Sequence, residues 1–199
     1  MNGTTSSVAS ILQRIGVTAF LLFVFVGPPV FGQAPASALR IPDNYHASYA
    51  STGAVFYASY PGMLPCSGAQ VPPDPSCIYI YVDFRRRMSM ADLIPQEYED
   101  VKASGGRRKA LEHSHLGKFE EFVIDNGSSR EIWRIRRFSN GDSLVALDSV
   151  PPTSTTIVYR DFGDYFLKYS FSRRLAASVD DIDARVTDLI HQLRESKTK

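Results

Sequence analysis

The 199-residue chain carries 22 Lys and Arg against 21 Asp and Glu, a formal net charge of +1, and 44% of its residues are hydrophobic. This balance excludes the strongly basic surface of a bulk nucleic-acid binder. The length allows one domain with a real core, and no internal repeat suggests a second.

The first 34 residues hold one charge, Arg14, followed by the apolar run "IGVTAFLLFVFV" at 15–26 and by Pro28 and Pro29. "FGQA" then places Gly32 and Ala34 at small-residue exit positions, and "ASA" at 36–38 offers a second exit. A basic start, a short apolar core and a small-x-small exit predict a secretory signal over 1–34. The core is shorter than the roughly 20 residues that cross a bilayer, so no stable membrane span is expected in the mature chain. No cysteine stands at the exit, so lipid attachment is not expected. The expectation is an exported protein, periplasmic or secreted. Its mature chain would have 21 basic and 21 acidic side chains. It would comprise an irregular lead-in at 35–53, one globular domain at 54–195 and a flexible tail at 196–199.

"AVFYASYPG" (54–62) predicts a first strand stopped by Pro61 and Gly62. Both cysteines, Cys66 and Cys77, then flank a proline-rich stretch. Ten intervening residues fit neither a Cys-x-x-Cys redox pair nor a four-ligand zinc site. In an oxidising compartment they predict one disulfide stapling a short loop. The next stretch, "CIYIYVDFRRR", alternates with a period of two. Ile78, Ile80, Val82 and Phe84 fall on one side, Tyr79, Tyr81, Asp83 and Arg85 on the other.

"SMADLIPQEYEDVKAS" (89–104) predicts helix, with Ser89 and Asp92 at capping-box spacing. Pro95 argues for a short turn at 89–94 and a helix started by the proline, with Ile94, Tyr98 and Val101 on its inner face. Residues 117–150 predict a meander turned at Asn126-Gly127 and Asn140-Gly141, where Asn and Gly tolerate positive φ. "TIVYRDF" and "DYFLKYSFS" predict a further pair turned at Gly163. In the last helix Val179, Ile182, Val186, Leu189, Ile190 and Leu193 form an apolar stripe. Ser178 and Asp181 have capping-box spacing, and His191 lies off the stripe.

The fold class is therefore α+β: an antiparallel meander flanked by two helices, the last one C-terminal. With "CIYIYVDF", "SMADLIPQEY", "DYFLKYSFS" and the terminal helix in this order, residues 54–194 resemble the PsbP-like fold of photosystem accessory proteins and exported bacterial proteins. The resemblance implies a non-catalytic binding or accessory role. The stapled loop and the arginine-rich strand do not map onto that family.

The chain lacks G-x-S-x-G, H-E-x-x-H, a Walker loop and a dinucleotide fingerprint, so no catalytic residue and no cofactor is expected. "EHSH" has metal-ligand residue types: an extended backbone would put His113 and His115 on one side, with Glu112 or the distant His46 as possible third ligands. A polar loop or sheet edge explains the cluster without a metal. Arg85, Arg134 and Arg136, beside Tyr79 and Tyr81, are the candidate surface for an anionic partner, because guanidinium groups grip carboxylates and phosphates through paired hydrogen bonds. The competing expectation is that the arginines pair with Asp83, Glu120, Glu121 and Glu131 across the sheet. The main functional expectation is an exported, non-catalytic binding or accessory protein whose partner is a protein or a small anion. The alternatives are an interaction or immunity module acting on a secreted partner, or an enzyme whose site forms no motif.

Overall fold

A computed structural model describes residues 39–67, 74–84 and 88–195. The expected signal, its two exits, part of the stapled loop, Arg85 to Arg87 and the tail at 196–199 lie outside the described residues. Ten strands form one sheet: β1 (Ser48–Ala50), β2 (Gly53–Ser59), β3 (Leu64–Pro65), β4 (Cys77–Asp83), β5 (Lys109–Leu116), β6 (Phe119–Asp125), β7 (Arg130–Arg137), β8 (Ser143–Val150), β9 (Thr155–Asp161) and β10 (Phe166–Ser172). Among the described residues, two α-helices, α1 (Met90–Ser104) and α2 (Val179–Glu195), accompany the sheet and make the architecture α+β.

The strand order is β1-β2-β4-β10-β9-β8-β7-β6-β5, with β3 also paired to β2. Every pairing is antiparallel. The meander β5 to β10 therefore closes onto the N-terminal strands through β4 and β10. Residues 48–50, expected to belong to an irregular lead-in, form an edge strand on β2. Tyr45 anchors the same segment, packing edge-on against Phe56 and donating its hydroxyl to the Met63 carbonyl at 2.7 Å.

The turns fall at the expected Asn-Gly pairs, with the glycine and not the asparagine at positive φ. Between β7 and β8, Gly141 has φ +89° and donates to the Phe138 carbonyl, while Phe138 donates to the Asp142 carbonyl. That is a three-residue loop with glycine in the left-handed position. Between β6 and β7 only Gly127 takes positive φ; Asn126 does not.

Strand register fixes the two faces, because opposed residues share a face. On one face, Phe56, Ile78, Ile80, Val82, Leu144, Val158, Leu167, Tyr169 and Phe171 pack with Ile182, Val186, Leu189, Ile190 and Leu193 of α2. On the other, Phe122, Ile124, Trp133, Ile135 and Val145 pack with Ala91, Ile94, Tyr98 and Val101 of α1. The helices thus cover opposite faces and different halves of the sheet.

The first helix corrects one expectation. It is continuous from Met90, capped by Ser89 Oγ accepting from the Ala91 N–H at 3.2 Å, with Pro95 inside it. Proline leaves the Ala91 carbonyl without its helical donor. Arg137 of β7 supplies the missing hydrogen bond, its Nη2 donating to that carbonyl at 2.6 Å while Nη1 donates to Asp92 at 3.1 Å. The expected cap of α2 also differs. Ser178 ends a 3-10 segment, Arg173–Ser178, that runs directly into the helix, and Asp181 accepts instead from Tyr60 and Arg185.

Cys66 and Cys77 form the expected disulfide, with Cα atoms 6.2 Å apart. Among the described residues no helix is long and apolar enough to cross a membrane.

Candidate functional site

On the α1 face, the half of the sheet outside the α1 cluster carries Val55 and Tyr57 of β2, Tyr79 and Tyr81 of β4, and Lys168 and Ser170 of β10. The register sets Tyr57 opposite Tyr79, Val55 opposite Tyr81, and Tyr81 opposite Lys168. All six are half-buried, and none belongs to either packed core. Tyr57 and Tyr79 meet edge to face with centroids 5.6 Å apart, and the Tyr81 hydroxyl donates to Asp83 at 2.9 Å. Tyr159 of β9 forms the boundary with α1, between Trp133 at 6.3 Å and Phe166 at 5.9 Å, with Lys168 Nζ 5.7 Å from its ring. Burial raises the pKa of Tyr79, and the neighbouring Tyr57 and Tyr81 raise it further. Burial also raises Tyr159 and lowers Lys168. Tyr79 and Tyr159 therefore stay neutral through the physiological range.

The arginines occupy the other face. Following the register from Tyr81 through Lys168, Tyr159, Val145 and Ile135 shows that Tyr81 shares its face with Ile135. Arg134 and Arg136 alternate with Ile135, so the pleat turns them to the opposite side. They do not form one surface with Tyr79 and Tyr81, and Arg85 lies outside the described residues. Arg134 Nε donates to Glu121 at 2.7 Å and Nη1 to Asp148 at 2.9 Å, between carboxylates only 15% and 14% exposed. Arg136 stacks on Phe138 and reaches Asp180 of α2 at 3.5 Å; Lys118 also donates to Asp180.

The sequence reading missed the deepest charges on this face. Arg160, 7% exposed, lies between the rings of Phe138 and Phe162, 4.0 and 4.7 Å from their centroids. It faces Asp183 at 3.5 Å and Asp142 at 3.8 Å. Asp183 also accepts from the buried Tyr169 hydroxyl at 2.8 Å. Burial pushes the Asp183 carboxyl up, against the opposing pull of Tyr169 and Arg160. Arg160 shows no sequence signal beyond its position on the apolar side of a strand.

A cleft of about 410 Å³ opens beside the start of α1, lined by Asp92, Asp142 and Asp161 among others. Its acids are already engaged: Asp92 by Arg137, Asp142 by Asn140, and Asp161 by the Gly163 N–H. At the opposite edge of the sheet from β1, His113 and His115 of β5 share the α1 face with Glu120 of β6. His113 Nε2 lies 2.9 Å from Glu120 Oε1, and its ring stacks on Phe122 at 4.3 Å. Glu112 faces the other side of β5, opposite Val123, and His46 lies before β1, so neither joins this cluster.

No protein-family model matches the sequence, and no curated protein matches it. Among solved structures, the fold resembles an immunity protein of the Stenotrophomonas maltophilia type IV secretion system, with a TM-score of 0.51 and 16% identity over 83% of this chain and 92% of that one.

Proposed function

We propose that the protein is an exported binding module of the immunity or inhibitor class, which neutralises a secreted protein by docking on it. The observation that carries this reading is the fold likeness to an immunity protein over 83% of this chain and 92% of that one. The disulfide fits an oxidising, periplasmic or secreted setting. The proposed contact is the half-face of Tyr57, Tyr79, Tyr81, Tyr159 and Lys168. Tyrosine is enriched at protein interfaces because it offers a large apolar ring, a hydroxyl and few rotamers to freeze.

Site-specific photocrosslinking in the producing cells tests the proposal. A crosslinker replacing Tyr79 should trap one secreted protein whose toxic activity falls when the purified domain is added. The same probe at Arg134 should trap nothing specific. Adducts arising from Arg134 instead, or a trapped protein whose activity the domain leaves unchanged, would refute it.

A further inference from the structure

We infer that His113, His115 and Glu120 form a binding site for a divalent transition metal ion, with zinc the best match. One ligand atom from each residue lies within 4.8 Å of the others. Two imidazoles and a carboxylate are a donor set that suits zinc, and calcium or magnesium would instead call for oxygen ligands alone.

The strand geometry brings the three donors together without a long loop. His113 and His115 are two apart on β5, so both project from the same side. Glu120 sits directly opposite His115 across the β5–β6 hairpin, where opposed Cβ atoms are about 5 Å apart. Tetrahedral ligands about 2.1 Å from zinc lie about 3.4 Å from one another. The His113–Glu120 separation of 2.9 Å therefore has to open by about half an ångström, and the His115 nitrogen, within 4.8 Å of the other donors, has to move closer on binding.

The surroundings favour a held site over a chance encounter of side chains. The His113 ring lies nearly parallel to Phe122, at 10°, with Tyr98 of α1 6.0 Å away, so packing limits its rotation. His115 is exposed, and β5 ends the sheet, which leaves the ion a path from solvent. Three protein ligands leave the fourth position for water or for a ligand from a docking partner. The hydrogen bond between His113 and Glu120 holds the cluster together in the absence of metal.

The test uses tag-free protein stripped with chelator and titrated with zinc chloride by calorimetry. One ion per chain should bind with micromolar affinity, while magnesium chloride gives no heat. His113→Ala, His115→Ala and Glu120→Gln should each weaken zinc binding by more than about tenfold, the loss typical of removing a mere supporting group. His46→Ala and His191→Ala should leave it unchanged. His115 is exposed, so its variant should keep the metal-free melting temperature, which separates lost ligation from lost folding. Absence of one-to-one binding below millimolar zinc would overturn the inference. So would binding that survives His115→Ala and Glu120→Gln.

Discussion

Each face of the sheet is half covered by a helix, and the two remaining halves solve the same exposure problem differently. Beside α2, Arg134 is held by Glu121 and Asp148, and Arg136 by Asp180 and Phe138. On the other face, beyond α1, Tyr57, Tyr79 and Tyr81 stand half-buried around Lys168, outside both cores. A guanidinium near a low-dielectric sheet is costly unless neutralised, and the neighbouring strands and α2 supply the acids that face these arginines. A tyrosine tolerates partial exposure and keeps a surface that a partner can cover. The charged half is neutralised by acids of the chain itself; the aromatic half carries the proposed docking surface.

The largest effect that would sharpen this contrast lies at the deepest charge of the arginine face. Arg160→Ala should cost about 3–5 kcal/mol in urea unfolding, because it leaves Asp183 buried without its cation. A replacement of both residues by apolar side chains, Arg160→Met with Asp183→Leu, should cost less than that single change. If Arg160→Ala keeps full stability and loses partner binding instead, the charged face is functional and the contrast fails.

An intermediate effect is expected at the staple. Cys77 lies on the same side of β4 as Tyr79, so reducing the disulfide should loosen the aromatic half first. The chain-entropy argument gives about 2–3 kcal/mol for a loop of this size, and the stiff prolines lower the real value. Thermal melts with and without reductant should therefore differ by several degrees, with the oxidised form higher. Identical melts would mean that the sheet alone holds this end.

The smallest effect on stability is predicted for Arg134→Gln with Arg136→Gln. Their ion pairs are partly solvated, so the double variant should lose only about 1–2 kcal/mol. Binding to whichever protein crosslinks through Tyr79 should stay unchanged. A large loss of affinity in a folded double variant would move the interface to the arginine face.

The elements were legible in the sequence wherever the information was local. Alternation in "CIYIYVDF", the apolar stripe of α2 and the glycines after Asn126 and Asn140 depend on neighbours along the chain. What alternation cannot reveal is which of the two faces a strand's parity refers to. Tyr81 and Arg134 look equivalent in sequence, as polar positions between aliphatic ones. Only the path of pairing from β4 through β10, β9 and β8 to β7 shows that they point in opposite directions. The unbroken helix across Pro95 was hidden for a similar reason, since the donor that mends it, Arg137, lies 46 residues beyond Ala91. Glu120 as the partner of His113 likewise required the hairpin register. The buried pair Arg160 and Asp183 could be suspected only as charges sitting on otherwise apolar faces.

The pairing of β4 with β10 has a consequence for the order of assembly. A chain that emerges N-terminal end first can zip β5 to β9 as each hairpin appears, since these strands join sequential neighbours. Strands β1, β2 and β4 can also pair among themselves, but the other edge of β4 stays open until β10 arrives. Their inner side chains Phe56, Ile78, Ile80 and Val82 wait, beside an unpaired edge, for residues 166–172 and for the helix that follows. Long-range closure of this kind slows folding and exposes an edge to misassociation. Residues 166–195 therefore decide the fate of the first strands made.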